Sequence, residues 1–184
     1  MEKKVFVIGV TGASGIVYAR RLLEVLTGTA HVHLIVSDVA EKIAEYEGVD
    51  LHGFDATYHR NEQLFAPIAS GSFRFDGMAV VPCSMKTLAG ISGGHAENLI
   101  TRAADVCLKE KRPCILLLRE MPLSRIHLKN MLAANEAGAT VMVASPGFYT
   151  LPKTIDDLVD MVVARVLDHL GIEHTLAGRW EGME

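Results

Sequence analysis

Five short runs of mostly apolar residues recur along the chain and constrain its fold more than any other feature. Each run is rich in Val, Ile and Leu and is continuous rather than alternating; the five occupy residues 5–10, 32–36, 78–81, 114–118 and 140–143. Such runs are typical of strands in a parallel sheet, because helices cover both faces of that sheet. The pattern predicts five strands in a mostly parallel sheet.

Segments with the apolar spacing of an α-helix lie between these runs. They cover residues 14–26, 98–108, 126–137 and 155–170, and Pro113 and Gly138 stand just beyond the second and the third. Alternating strands and helices with short connections predict one doubly wound α/β domain over residues 1–184, of the Rossmann or flavodoxin type, with helices on both faces. Residues 48–77 show little periodicity, and we expect a loop with some helix there.

Composition narrows the classes of function. The 184 residues are 49% hydrophobic, which suffices for one full core, and the formal net charge is -4. An acidic chain has no long-range attraction to nucleic acid or to acidic lipid, so a small-molecule ligand is favoured. The sequence lacks a run of about 18 apolar residues, the length that suggests a membrane span.

Cysteine and histidine usage points to the compartment and to the absence of a metal. The three cysteines lack C-x-x-C spacing, which indicates a reducing compartment, and the start MEKKVFVIGV has no signal-peptide pattern. We therefore expect a cytoplasmic protein. The eight histidines show no paired-ligand spacing, and we expect no metal site.

The first apolar run leads into GVTGASGIVY, with glycines at 9, 12 and 15. This G-x-x-G-x-x-G spacing fits neither a P-loop nor the usual dinucleotide fingerprint. Small residues before a helix N-terminus suit a phosphate, because unpaired N–H groups and a partial positive charge meet there. Close packing of the helix on the strand requires the same glycines, and Ser14 also suits an ordinary N-cap. Both interpretations remain open at this point.

Polar residues follow every predicted strand, where ligands bind in sheets of this type. Lys86, Arg119 and Glu120 are the costliest of these to place at a sheet edge without a partner. Arg102, Asp105 and Lys109 fall on one side of a predicted helix. That stripe is compatible with a phosphate grip and with a solvated helix face.

Longer motifs extend the pattern over nearly the whole chain. In order, they read GVTGASGIVYARRLLEVL, VSDVA, ASGSFRFDGMAVVPCSMKTLAGI, NLITRAADVCLKEKRPCILLLREMPLSRIHLKNM and SPGFYTLPKTIDDLVDMVVARVLDHLGI. Together they resemble the UbiX type of flavin prenyltransferase. Two positions depart from the family pattern: Met121 replaces a usual threonine, and residues 143–145 replace a more proline-rich segment. These departures leave open whether a monophosphate or a diphosphate donor is preferred.

The resemblance implies an activity and partners. Members of this family transfer a dimethylallyl group from dimethylallyl phosphate to N5 and C6 of reduced FMN, without a metal. The prenylated FMN serves UbiD-type decarboxylases. The family also implies a homo-oligomer, commonly a dodecamer, with flavin at the subunit interfaces.

The resemblance also assigns roles to residues. Those that would bind the flavin or its phosphate are Gly12, Ala13, Ser14, Ser37, Ser84, Met85, Lys86, Thr87 and Arg119. Those that would bind the prenyl phosphate, partly from a neighbouring subunit, are Arg102, Lys109, Tyr149 and Arg165. Glu120 resembles the acid/base residue, with Ser14 as its proton-relay partner. Arg179 and Trp180 resemble part of a C-terminal segment, about residues 171–184, that closes over the site or packs on a neighbouring subunit. Aromatic candidates to shield an allyl cation are Phe73, Tyr149 and Trp180.

Two other enzyme classes share parts of the pattern. A short-chain oxidoreductase using NAD(P) would explain Asp38 as a ribose ligand and Tyr149 with Lys153 as Y-x-x-x-K, but Pro152 disfavours the helical turn that this pair needs. A flavin-dependent cysteine decarboxylase would need a small-residue and asparagine signature after the third strand, where this chain has Ser84-Met85-Lys86-Thr87. It would also need a histidine shortly after the second helix, for which His52 and His59 are weak candidates. A non-catalytic flavodoxin-like module would leave the cations at 102, 109 and 165 without a role.

Overall fold

The computed structural model describes residues 3–179 of the chain. Six strands form one sheet in the order β3-β2-β1-β4-β5-β6, and every neighbouring pair is parallel. The strands are β1 Val5–Val10, β2 His31–Val36, β3 Ala56–Arg60, β4 Gly77–Cys83, β5 Cys114–Leu118 and β6 Thr140–Val143. The predicted parallel α/β fold is confirmed.

Six α-helices cover the two faces of this sheet within the described residues. They are α1 Ile16–Thr29, α2 Asp38–Glu47, α3 Met85–Ser92, α4 Leu99–Lys109, α5 Arg125–Glu136 and α6 Ile155–Leu170. Buried side chains of α1, α2 and α6 share one core cluster with Phe6 and Ile8 of β1. Those of α3, α4 and α5 share the other with Val7. The central strands are therefore apolar on both faces, as their continuous runs predicted.

The prediction of a loop over residues 48–77 is wrong in part. This segment contains strand β3, which pairs with β2, and a short 3-10 helix, Pro67–Ala69. β3 reads ATYHR and lies at the edge of the sheet with three of its five residues exposed, so it carries no apolar run to reveal it. The sequence analysis also missed α2, which buries only Ala40 and Ala44, and the eight-residue α3.

A histidine pair joins the edge strand to its neighbour. Nδ1 of His33 on β2 and Nε2 of His59 on β3 are 2.8 Å apart, the two rings are stacked, and Phe73 packs edge-on against His33. Burial lowers the pKa of both imidazoles, and the charges of His59 and His31 lower the pKa of His33 further. Both rings are therefore held in the neutral form.

The histidine pair is expected to make stability pH-dependent. Because both pKa values lie below 6.5 in the folded chain, the unfolded chain binds protons more readily, and the free energy of unfolding decreases as the pH falls below that value. Replacing His59 with glutamine is expected to reduce the difference in unfolding free energy between about pH 7.5 and about pH 5. Urea denaturation at both pH values measures this difference in unfolding free energy. His95→Gln, at an exposed position, is the control, and an unchanged pH dependence in His59→Gln would refute the prediction.

The C-terminal residues that are described fold back on α6. Ile172 and Leu176 pack against the first core cluster. The amide of Leu176 donates to Nδ1 of His174, so the proton lies on Nε2, which is 3.1 Å from Oδ1 of Asp168. Burial raises the pKa of Asp168, but hydrogen bonds from His174 and Arg179 and the charges of Arg179 and Arg165 outweigh it, so the net pKa is lowered. This carboxylate therefore anchors the segment.

Candidate active site

A cleft lies at the carboxyl ends of the strands, beside the point where the strand order reverses between β1 and β4. Its volume is about 320 Å³, and it is lined by Thr11, Gly12, Ser37, Val39, Asn61, Ser84, Met85, Lys86, Thr87, Asn98, Ile100 and Glu120. Loops after five different strands contribute to this lining. In sheets of this type the switch point is the usual position of a ligand.

The cleft brings together seven of the site residues that the sequence analysis named: Gly12, Ser37, Ser84, Met85, Lys86, Thr87 and Glu120. Asn61 and Asn98 also line it, and the sequence analysis missed both. Asn61 follows the undetected strand β3, so no strand end drew attention to it. Asn98 was recognised only as the start of a helix.

Two helix N-termini point into this cleft. α2 begins after Ser37, whose Oγ accepts from the amide of Ala40 at 3.2 Å. α3 begins after Ser84, whose Oγ accepts from the amide of Thr87 at 3.3 Å and donates to Thr87 Oγ1 at 3.1 Å. Lys86 belongs to the same lining, so two helix N-termini and one cation make this part of the cleft electropositive. The donors present fit a phosphate group such as that of FMN.

Thr11 connects the ends of β1 and β4. Its buried hydroxyl donates to the carbonyl of Pro82 at 2.9 Å and accepts from the amide of Ser84 at 2.8 Å. This link fixes the start of α3 relative to the glycine loop.

Contacts and backbone conformation within the protein explain two glycines of the first loop. A Cβ at Gly12 would lie 2.5 Å from Val39 Cγ1 and 2.9 Å from Val39 Cβ on α2. Gly15 has a φ of 97°, in the left-handed region, and is the N-cap of α1. Gly12 is thus required by its contact with α2 and Gly15 by its backbone conformation, and Ser14 is not the N-cap of α1.

Gly12→Ala is expected to destabilise the chain by about 1–3 kcal/mol, because the new methyl group overlaps atoms fixed to the α2 backbone. Val39→Ala in the same chain is expected to restore part of this loss, since it removes the closest atom. Urea denaturation of the four chains of this cycle measures the coupling. Gly28→Ala is the control, because nothing lies within 4 Å of its Cβ. Strict additivity of the two changes would contradict the contact.

The N-terminus of α1 does not offer its first amides to a ligand. Gly15 N donates to both carboxylate oxygens of Glu47, at 2.9 and 3.2 Å, and Ile16 N donates to one of them at 2.9 Å. The expectation of free N–H groups at this helix is therefore wrong for these two amides. Glu47 ends α2, and no local motif distinguishes it from the other acidic residues there.

Arg119 and Glu120 follow β5 at the edge of the cleft. Arg119 Nε donates to the carbonyl of Ser14 at 3.2 Å, which ties the β5 end to the loop containing the buried Ala13. The half-buried Glu120 lines the cleft, and one of its oxygens accepts from the amide of Met121 at 3.0 Å. Its second oxygen makes no hydrogen bond within the described part of the chain and is available to a bound molecule.

The residues predicted to bind the prenyl phosphate do not meet within one chain. Arg102 lies on α4, where it contacts the carbonyl of Ala69 and the carboxylate of Asp105, and Lys109 on the same helix pairs with Glu110. Arg165 lies on α6, on the opposite face of the sheet, and pairs with Asp168.

Tyr149 of that group and Trp180, which is also predicted to contact the prenyl substrate, lie at or beyond the loop after β6. The exposed Tyr149 is in that loop. Trp180 lies outside the described residues. A complete group therefore requires a second chain or a rearrangement.

The same loop argues against the short-chain oxidoreductase interpretation. Tyr149 and Lys153 both precede α6, which begins at Ile155, so no helical turn aligns them.

Within residues 3–179 no group of three or more His, Cys, Asp and Glu side chains is arranged to hold a metal ion. Among those residues, too, every helix is too short or too polar to cross a lipid bilayer.

Comparison with known proteins identifies the family. Residues 1–167 match the Flavoprotein family. The flavin prenyltransferase UbiX of Methanocaldococcus jannaschii is 48% identical over 178 residues, which cover 95% of this chain and 97% of that protein.

Two solved structures share the whole architecture. The crystal structure of AnUbiX (PadA1) in complex with FMN and dimethylallyl pyrophosphate matches with a TM-score of 0.95 and 42% identity, over 100% of both chains. A dodecameric FMN-dependent UbiX-like decarboxylase from Escherichia coli O157:H7 matches with a TM-score of 0.92 and 47% identity, over 97% of this chain and 100% of that one. With the cleft at the switch point and these full-length similarities, the chain belongs to the UbiX family of flavin prenyltransferases.

Proposed function

We propose that this chain is a flavin prenyltransferase that moves a dimethylallyl group from a dimethylallyl phosphate ester to N5 and C6 of reduced FMN. The observation that carries the proposal is the cleft in which the N-termini of α2 and α3, Lys86 and Glu120 face one volume. One end of the cleft can bind an anion, which fits the phosphate of a flavin mononucleotide. The other end carries a carboxylate, which fits proton transfer at the flavin ring.

FMN is the acceptor, and its phosphate binds where α2 and α3 begin. The hydroxyls of Ser37 and Thr87 and the free first-turn amides donate to it, Ser84 orients the Thr87 hydroxyl, and Lys86 neutralises the phosphate charge. Gly12, Ala13, Ser14, Met85 and Arg119 would hold the flavin ring, with Glu120 beside it. The flavin supplies the nucleophilic ring atoms of the reaction.

The donor phosphate leaves with additional negative charge when the allylic carbon–oxygen bond breaks. Arg102, Lys109 and Arg165 stabilise that charge through charge-assisted hydrogen bonds, and Tyr149 donates from its hydroxyl and shields the allyl cation. Since α4 and α6 cover opposite faces of one chain, the group is completed across a subunit boundary. The related E. coli structure is dodecameric, which supports such an assembly here.

Exposed apolar side chains supply a surface for this assembly. α5 buries only Ala134, and Ile126, Leu128 and Leu132 on it are each more than half exposed. The loop and helix start after β6 add Phe148, Leu151 and Ile155. Apolar surface of this extent suits a permanent interface between copies of one chain.

Glu120 is the acid/base residue of the ring-closing step. Glu120 lines the cleft, and its oxygen that makes no hydrogen bond within residues 3–179 accepts the proton that leaves the ring carbon, which the Ser14 hydroxyl relays. Residues 171–179 pack on α6 and the first core cluster of their own chain, where Arg179 contacts Asp168, and Trp180 lies outside the described residues.

The product is proposed to pass to UbiD-type decarboxylases in the cytoplasm. The three free, buried cysteines support a reducing compartment. Dimethylallyl phosphate is the expected donor, and the diphosphate is the alternative.

The test is anaerobic. The protein is mixed with reduced FMN and dimethylallyl phosphate or diphosphate, and the released flavin is analysed by mass spectrometry. The expected product is FMN carrying one five-carbon unit. Unmodified FMN from a protein shown to bind it would overturn the proposal, and turnover of NADPH without flavin would favour an oxidoreductase.

A further inference from the structure

The turn that ends α4 directs Arg112 back towards the chain segment before β4. It is a Schellman turn, in which the amide of Lys111 donates to the carbonyl of Leu108 at 3.0 Å and the amide of Arg112 donates to that of Cys107 at 2.9 Å. Glycine is usual at the left-handed position of such a turn, but here Lys111 occupies it with a φ of 56°. The turn reverses the chain, so the Arg112 side chain packs against the segment before β4.

The half-buried Arg112 guanidinium bonds to two carbonyls of the pre-β4 loop, residues 69–75. NH1 donates to the carbonyl of Phe73 at 3.0 Å, and NH2 donates to that of Gly71 at 2.9 Å. The guanidinium also lies over the ring of Phe75, 4.3 Å from its centroid. A planar charged donor that spans two carbonyls fixes their relative position, whereas a lysine ammonium is a single point charge. Arg112 therefore fixes the backbone in the middle of this loop.

Two cations of the proposed donor-phosphate group contact the same pre-β4 loop. Arg102 Nε donates to the carbonyl of Ala69 at 3.0 Å. The Lys109 ammonium lies beside Gly71, since a Cβ built on that glycine would be 2.6 Å from Nζ. Gly71 thus meets Lys109 at its α-carbon and Arg112 at its carbonyl oxygen. The loop is therefore a shared support for both cations, and Arg112 holds that support in place.

We propose that Arg112 is a positioning residue for the prenyl donor, because it orders the pre-β4 loop on which Arg102 and Lys109 face the donor phosphate. This inference rests on the proposed function, since it concerns the donor of that reaction. Arg112 acts through the loop and does not touch the donor. Without its guanidinium, the carbonyls of Gly71 and Phe73 lose a charged partner and the loop gains conformational freedom. The loop must then be ordered when the donor binds, which weakens donor binding.

Calorimetric titration of dimethylallyl phosphate into the assembled protein loaded with oxidised FMN tests the inference. Oxidised FMN is not the acceptor of the proposed reaction, so the titration measures donor binding alone. Arg112→Met keeps a long side chain without its donors and is expected to raise the dissociation constant of dimethylallyl phosphate about tenfold, with FMN affinity unchanged. Arg112→Lys keeps one charged donor and is expected to give an intermediate value. Arg74→Met is the matched control, because the exposed Arg74 lines the same surface cavity as Arg112, and it is expected to bind like the wild type.

Steady-state kinetics with reduced FMN adds a readout that a general loss of stability would not reproduce. Arg112→Met is expected to raise KM for the donor about tenfold and to leave kcat nearly unchanged, because the loop is ordered once the donor is bound. An unchanged donor dissociation constant in folded Arg112→Met and Arg112→Lys overturns the inference, as does an equal loss of FMN affinity. Wild-type protein that binds dimethylallyl phosphate without transferring its prenyl group would refute the proposed function and leave the role of Arg112 intact. Wild-type protein that binds no dimethylallyl phosphate would refute both.

Discussion

Replacing Glu120 with glutamine is expected to lower the formation of prenylated FMN by about 10²-fold or more and to leave flavin alkylated at one position. The amide keeps the shape of the carboxylate and its contact with the amide of Met121. It cannot accept the proton that the ring must lose to close. Anaerobic single-turnover reactions, stopped with acid and analysed by mass spectrometry and absorption, separate the two alkylation steps.

Glu136→Gln is the control for this experiment, because that exposed carboxylate lies on α5 and does not line the cleft. It is expected to react like the wild type. FMN affinity, measured by fluorescence, shows whether Glu120→Gln still binds the acceptor. Full conversion to the ring-closed product by Glu120→Gln would remove this residue from the mechanism.

Mixing two inactive variants is expected to restore activity. Arg102→Ala and Arg165→Ala are each expected to lower kcat/KM by about 10²-fold or more, because each removes a donor to the leaving phosphate. If one subunit supplies Arg102 and another supplies Arg165, random mixed assemblies contain intact sites, and about a quarter of wild-type activity returns. The measurement compares co-expressed, co-purified mixtures with each parent.

A pair from the same helix provides the control. Arg102 and Lys109 both lie on α4 of one chain, so a mixture of Arg102→Ala and Lys109→Ala subunits leaves every site short of one cation. No recovery is expected there. An Arg102→Ala and Arg165→Ala mixture that stays as inactive as its parents would contradict the shared site.

The buried centre of the fold was predictable because its strands consist of apolar residues. β1 and β5 are covered on both faces, so selection for burial leaves an unbroken apolar run at each. β3 has no such signal, because an edge strand keeps its backbone pairing with β2 while its side chains reach solvent. α2 was missed for a related reason, since its two fully buried contacts are alanines.

The candidate site was predictable where residues follow strands. Ser37 and Ser84 cap helices directly after β2 and β4, and residues 85–87 form the first turn of α3, so a local rule places them at the cleft. Glu47 and Asn61 act at helices to which they are not adjacent in sequence, and their partners are backbone amides, which have no sequence signature. The glycine pattern was ambiguous because the contact that requires Gly12 is with Val39. That contact forms only when α2 packs against the first loop, and the sequence pattern does not show it.

The central position of β1 has a consequence for synthesis. β1 is synthesised before both of its neighbours in the sheet. β2 can pair with one of its edges early, but the other edge is unpaired until β4, which begins at Gly77, has been made. A nascent chain therefore exposes an unpaired apolar strand edge throughout translation of the first half. Chaperone shielding of that edge is expected to govern yield, and fragments truncated before residue 77 are the ones expected to aggregate.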